Sequence, residues 1–361
     1  MSDARAPVGI LLAAGLGTRL RPATDFCPKP LIPVAGLEPL FFALYRLREA
    51  RVRRVIVNAH HLSEKIDARL KDWAPLLKGL EIRLSVERPE ILGTGGALLK
   101  IFRDSADWFR DSAALVQNAD TLARIDLQPF LRNPEKNLLA ISRRKDHLAK
   151  YGPLWLRGEG PSIGQWVTAG SQAGAPGLIP AHFLGVHMIS GRALAKLTGE
   201  RFAPRAIDLF DGLYRPLIQE GEVFESLEYF GVPTTEQWFD MNTPEFLLEA
   251  QSLILERIEQ DSEWTAALQA RHPGLRHPSE GVWIRGVGPR KIRPPLVWAE
   301  ESTAAWSEPW DVLAGPGASV VIEKDAPAPT QSFEIAEASL LVRSAGTPSA
   351  ATLLRKEVSV W

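Results

Sequence analysis

Cysteine is nearly absent from this 361-residue chain, with Cys27 the single one. One thiol excludes an intrachain disulfide and fits a reducing compartment. No histidine lies near Cys27 in the sequence, so it reads as a small filler rather than a thiolate nucleophile. An excess of either charge is missing too: 42 Lys and Arg face 43 Asp and Glu, a formal net charge of -1. Such balance gives no global field for nucleic acid or an anionic membrane. No apolar run reaches membrane-spanning length. The stretch from Val8 to Gly17 behind Arg5 is short, glycine-broken and followed at once by Arg19 and Arg21, which argues for a core strand and loop over a leader. A cytoplasmic protein with no nucleic-acid or membrane partner is expected.

What is present concentrates between Val8 and Val34, VGILLAAGLGTRLRPATDFCPKPLIPV. Val8 to Ala13 is a short apolar run stopped by glycine, the pattern of a fully buried strand. Gly15 and Gly17 permit a tight turn whose backbone N–H groups can approach an anion. Arg19, Arg21 and Lys29 bring charge to the same place, Arg as a planar fork and Lys as a point charge. The segment reads as a triphosphate cradle. A Walker A loop is excluded because Lys29 lies between Pro28 and Pro30, and a dinucleotide fingerprint because Leu20 stands where its third glycine belongs.

Strand and helix patterns alternate through the first 250 or so residues. Strands are expected at Val8–Ala13, Arg54–Ala59, Glu81–Val86, Ala113–Gln117, Phe183–Ile189 and Val223–Phe230. Helices are expected at Pro39–Ala50, Leu62–Lys71, Gly96–Phe102 and Ile207–Glu220, with a last one from Thr243-Pro244 to about Ile258. This order implies an α/β domain with a mostly parallel sheet and helices on both faces, and a ligand site beyond the strands' carboxyl ends. Lys150 to Pro180 is Gly- and Pro-rich and weakly patterned. Past residue 260 no helix-length pattern appears after Ala270, and six of the eleven tryptophans fall from Trp264 onward. The expected division is residues 1–258 for the α/β domain and 259–361 for a small β-rich domain, for which a degenerate β-helix is one form.

Several carboxylates and glycines are placed for chemistry. Asp120, just past a strand end in Gln117-Asn118-Ala119-Asp120, can hold Mg²⁺ against triphosphate oxygens or simply cap a turn. Asp240, in Trp238-Phe239-Asp240-Met241-Asn242-Thr243-Pro244, can complete that metal site or serve as an N-terminal helix charge. Glu87 to Leu98 is a second glycine loop, in which Thr94 can reach a nucleobase edge; the alternative is a helix-capping turn. Gly185 alone would be a strand bulge. His60-His61 lacks the further ligands of a zinc site, and His187 is a candidate sugar contact. The cluster Arg51, Arg53 and Arg54 has no interleaved aromatics and reads as a solvated corner.

The run Gly15-Leu-Gly17-Thr18-Arg19-Leu-Arg21-Pro22, followed by Pro28-Lys29-Pro30-Leu31, closely resembles the signature of the sugar-1-phosphate nucleotidyltransferases. The likeness covers about residues 8–255 and is nearest to the muramic acid 1-phosphate uridylyltransferases and mannose 1-phosphate guanylyltransferases. It implies a Rossmann-like nucleotidyltransferase domain that makes an NDP-sugar for cell wall or polysaccharide from a nucleoside triphosphate and a sugar 1-phosphate, with Mg²⁺. Arg19, Lys29 and Asp120 would be catalytic. Ala14, Gly15, Gly17, Thr18, Arg19, Lys29, Thr94 and Gly95 would bind nucleotide, Asn118 and Gly185 the sugar phosphate, and Asp120 with Asp240 the metal. Homo-oligomerisation is open to the C-terminal domain. The chain departs from the family at Ala119 and Asn242, where glycine is usual, and has no Glu-Lys-Pro between Lys150 and Gly185. A nucleotidyltransferase for a non-sugar phosphate such as phosphocholine, a non-catalytic sensor of sugar nucleotides, and an acyltransferase built on a C-terminal β-helix are the alternatives.

Overall fold

The computed structural model describes residues 6–21, 23–151, 154–157, 162–163, 165–167, 176–197, 202–229, 237–243, 246–247, 249–250, 253–254 and 261–273, and beyond them the short strands named below. Pro22, Pro244 and most of the helix expected up to Ile258 lie outside the described residues. The chain divides into two compact units, Met1–Gly15 with Arg46–Ser63 and Gly79–Trp238, and Leu16–Tyr45 with Glu64–Lys78 and Phe239–Trp361.

The first unit is built on one sheet. Its main strands are β1 (Val8–Leu12), β2 (Arg54–Ala59), β3 (Glu81–Val86), β4 (Ala114–Asn118), β5 (Asn137–Ser142), β6 (Ile179–Ile189) and β7 (Phe224–Tyr229). They lie in the order β3-β2-β1-β4-β6-β5-β7. β1, β2, β3 and β4 are parallel, as is the pair β5 and β7, while β6 runs antiparallel to both neighbours. Parallel strands covered on both faces must be apolar throughout, and Val8, Ile10 and Leu11 of β1 are fully buried. The order reverses between β2-β1 and β1-β4, which opens a crevice at the carboxyl ends of β1 and β4.

Helices α1 (Pro39–Glu49), α2 (Ser63–Trp73) and α3 (Gly93–Asp104) follow β1, β2 and β3. α3 carries Leu98, Leu99, Ile101 and Phe102 into the core of the first unit with Trp108, Val116 and Leu139. The amphipathic stretch from Ile207 is not one helix. Tyr214 N–H donates to Leu209 O at 3.0 Å, a wide turn, before a short α-helix, Arg215–Gln219. Pro216 cannot donate the regular bond to its i−4 carbonyl, so the ladder changes gauge there. Leu209, Leu213 and Leu217 still face the core as the spacing requires.

In the second unit, Phe41 and Trp73 meet edge to face at 5.3 Å, and Phe42 packs on Trp264 at 4.7 Å. The Arg271 guanidinium makes two bonds to the buried Glu38 carboxylate, at 2.8 and 2.9 Å, and lies over the Phe41 and Trp73 rings. Beyond Pro273 the described residues are strands. Val282–Ile284, Leu296–Glu300, Ala318–Ile322 and Ser339–Val342 pair in parallel, one after the next. Val312–Ala314 and Phe333–Ile335, which alternate with them along the chain, pair in parallel in a second sheet. Among the described residues, a return to parallel pairing about every 20 residues is the connectivity of a β-solenoid. Antiparallel strands Arg276–Ser279, Ala351–Leu353 and Val358–Val360 end the ladders.

Candidate active site

A cavity of about 190 Å³ opens where the strand order reverses. Ala14 and Gly15 after β1 line it with Asn58 at the end of β2 and Glu87 after β3. Gly93 and Thr94 at the start of α3, Asn118 at the end of β4 and Asp120 after it also line the wall. Five sequence-predicted residues, Ala14, Gly15, Thr94, Asn118 and Asp120, are thus brought to one place. The cause is the parallel sheet: Leu12 sits beside both Asn58 and Asn118 in register, and Ala119 N–H donates to Leu12 O at 3.0 Å.

Gly185 joins the same neighbourhood. It lies at a register shift in β6 with φ +71°, and a Cβ there would fall 2.6 Å from Asn118 Nδ2. Only glycine fits both the left-handed backbone and that approach. Ala119, where the family has glycine, is not left-handed, so its Cβ costs nothing. Thr94 is exposed to the cavity, whereas Gly95 is buried. The Gly95 and Gly96 N–H groups donate to Ile207 O at 3.1 and 3.4 Å, and Ile207 N–H donates to Leu92 O at 3.0 Å.

Asn58 and Glu87 were not singled out as site residues by the sequence reading. Both are 1% exposed. Asn58 Nδ2 donates to Glu87 Oε1 at 2.8 Å, and Leu92 N–H donates to the other carboxylate oxygen. Glu87 therefore ties the loop ahead of α3 to β2. The signal was present as an asparagine ending an otherwise apolar strand and a glutamate directly after the next one, since buried polar groups need partners. His60 Nδ1 bonds Glu87 O at 3.0 Å, which makes His60 part of the same scaffold. His187 is fully buried beside Phe183 and Tyr214, and burial pushes its imidazole from 6.5 down to about 3. It is a neutral core residue and does not reach a sugar.

Glu222 is buried too, and burial alone would raise its carboxyl. Lys196 at 2.6 Å, Asn137 at 3.3 Å and the Arg192 guanidinium outweigh that and hold it below the usual range. The cluster fastens the helix Gly191–Lys196 to the sheet.

The second unit holds the remaining predicted residues. Gly17 has φ +63° and precedes a single 3₁₀ turn, Thr18–Leu20; Thr24 Oγ1 donates to Gly17 O at 2.8 Å. Thr18 and Arg19 are exposed, and Arg21 pairs with Asp25 at 3.0 Å. A Gly17 Cβ would lie 3.3 Å from Lys29 Cβ, so the loop and the lysine are adjacent. Lys29 is only 4% exposed, and its Nζ donates to Asn242 Oδ1 at 2.5 Å. Asn242 Nδ2 in turn donates to Asp240 Oδ2. Cys27 is buried, as a filler would be.

Residues 8–150 match the nucleotidyl transferase family. A mannose-1-phosphate guanylyltransferase from Mycobacterium tuberculosis is 36% identical over 122 residues, 34% of this chain and 32% of that protein. The chain thus spans about a third of that relative's length. An N-acetylmuramate alpha-1-phosphate uridylyltransferase from Caulobacter vibrioides is 27% identical over 69% of this chain and 97% of its own. Residues 8–150 thus carry a nucleotidyl transferase domain, similar to those of enzymes named for sugar 1-phosphates. A UDP-glucose pyrophosphorylase solved with UDP-glucose has the same fold, with a TM-score of 0.53 and 15% identity over 70% of this chain and 99% of that one. The nucleotidyltransferase domain contains β1 to β4 and the whole lining of the cavity. Most of residues 152–175, part of the stretch from Lys150 to Gly185 that has no Glu-Lys-Pro, lies outside the described residues. No helix among the described residues is long and apolar enough to cross a membrane.

Proposed function

We propose that the protein transfers a nucleotidyl group from a nucleoside triphosphate to a sugar 1-phosphate, with uridylyl or guanylyl specificity and pyrophosphate as the second product. The observation that carries this reading is the cavity at the carboxyl ends of β1 and β4, in which Gly15, Thr94, Asn118 and Asp120 meet within a nucleotidyltransferase domain. The sugar phosphate oxygen is already anionic, so it attacks the α-phosphorus in line without a general base. Catalysis then rests on positioning and charge neutralisation.

In this reading the exposed backbone at Gly15 meets the triphosphate and Thr94 the base, while Asn118 and the backbone at Gly185 orient the sugar phosphate. Arg19 neutralises the β- and γ-phosphates and the departing pyrophosphate, and Lys29 the α-phosphate and the incoming oxygen. Asp120 and Asp240 supply hard carboxylate oxygens suited to Mg²⁺, which keeps several waters and takes few protein ligands. No cluster of three or more His, Cys, Asp or Glu among the described residues competes with them. When bound, Mg²⁺ would offset triphosphate charge. We further propose residues 259–361 as an oligomerising β-rich domain of a cytoplasmic enzyme, with light scattering as its check.

Pyrophosphate release across four nucleoside triphosphates and a panel of sugar 1-phosphates tests the reading, with Asp120→Asn as control. Release that needs one base, one sugar and Asp120 supports it. Silence across the panel with tight binding of a nucleotide sugar would favour a non-catalytic sensor.

A further inference from the structure

We propose that Asn242 is a positioning residue that clamps the Lys29 ammonium to the Asp240 carboxylate through its own amide. The proposal rests on the roles given above to Lys29 and Asp240. Lys29 is 4% exposed, and a buried ammonium is costly unless its protons find acceptors. One acceptor is Asn242 Oδ1, 2.5 Å from Nζ. The other end of the same amide, Nδ2, donates to Asp240 Oδ2. The chemistry fixes which way the amide faces: an ammonium can only donate and a carboxylate can only accept, so oxygen must meet Lys29 and nitrogen Asp240.

A planar amide is well suited to this bridge. It accepts from the cation at one end, donates to the anion at the other, and so restrains both side chains together. Asn242 is not in the left-handed region, so its backbone does not explain the choice of residue. The glycine usual at this position in the resembled family could make neither bond. Lys29 would then keep its charge but lose this restraint on its direction, and misdirected charge weakens stabilisation of a transition state more than it weakens substrate binding.

A double-mutant cycle of Asn242→Ala and Lys29→Ala tests the clamp, with Asn242→Gly as a second, backbone-tolerant variant. The readouts are kcat, KM for the nucleoside triphosphate, its dissociation constant by calorimetry without sugar phosphate, and the thermal midpoint. The expected result is a loss in kcat of about tenfold for Asn242→Ala and for Asn242→Gly, with KM within about threefold and the midpoint nearly unmoved. On the Lys29→Ala background the same change should cost less than about twofold, because the partner it directs is gone. An equal loss on both backgrounds, or wild-type kcat in Asn242→Gly, would overturn the proposal. Should the wild-type protein turn over no substrate pair, the parent reading fails, and the cycle is read in triphosphate affinity alone. Coupling there supports the clamp and additivity removes it.

Discussion

The loop after β1 and the loop ahead of α3 look alike in sequence, Gly15-Leu-Gly17 and Gly93-Thr94-Gly95-Gly96, yet the protein uses Gly15 of the first and the Gly95–Gly96 pair of the second in opposite ways. A Cβ added at Gly15 would meet nothing within 4 Å. A Cβ at Gly95 or Gly96 would lie 2.3 Å from Asp208 O or 2.0 Å from Arg205 O. The first loop leaves backbone open at the cavity rim. The second has Gly95 and Gly96 pressed against the 205–208 segment and their N–H groups engaged by Ile207, so that Gly93 and Thr94 are left facing the cavity. A glycine pattern shows where backbone comes close to something. Whether that something is ligand or protein depends on a segment more than a hundred residues away in the chain.

The sharpest way to break this comparison is Gly96→Ala. Backbone carbonyls cannot swing aside, so the cost should lie at the upper end for overpacking, about 3 kcal/mol, in urea unfolding. Glu87→Ala should cost about 2 kcal/mol by leaving Asn58 and the Leu92 N–H without their buried acceptor. It should also loosen the second loop while sparing the first, as amide exchange would report.

A second contrast lies within β6, where Gly185 approaches Asn118 and His187, two residues on, is sealed in the core. The folded state refuses a proton at His187 until about pH 3, whereas the unfolded chain takes it near 6.5. Stability therefore falls as pH drops from 6.5 toward 3, by at most about 1.4 kcal/mol per pH unit, and is untouched by this group above 6.5. His187→Phe should flatten that acid slope in denaturant titrations. The smallest stability effect belongs to Gly15→Ala, under about 0.5 kcal/mol, but triphosphate binding should weaken there.

Much of the fold was legible because its strands are short, apolar and punctuated by glycine. Arg54–Ala59 and Glu81–Val86 coincide with the expected bounds, and β1 and β4 shift by a single residue. β5 was missed although Asn137–Ser142 is wholly buried and Asn133-Pro134 marks a turn ahead of it, because its neighbours in the sheet come from far along the chain. α3 begins at Gly93, earlier than propensity allows, since the close approach of residues 205–208 selects glycines that would otherwise mark a loop. Asp120 and Asn118 were legible as polar residues at a strand end. Asn58 and Glu87 were not, since their role appears only when β2 and β3 lie side by side. Asn242 was visible as a departure, but its use was not, because its partner Lys29 lies on a distant segment.

Amide hydrogen exchange with and without a nucleoside triphosphate tests the comparison most directly. Addition of nucleotide should protect the Gly15 amide and leave Gly95 and Gly96, already bonded to Ile207, unchanged. New protection at Gly95 and Gly96 with none at Gly15 would contradict the assignment of the first loop to ligand and the second to packing.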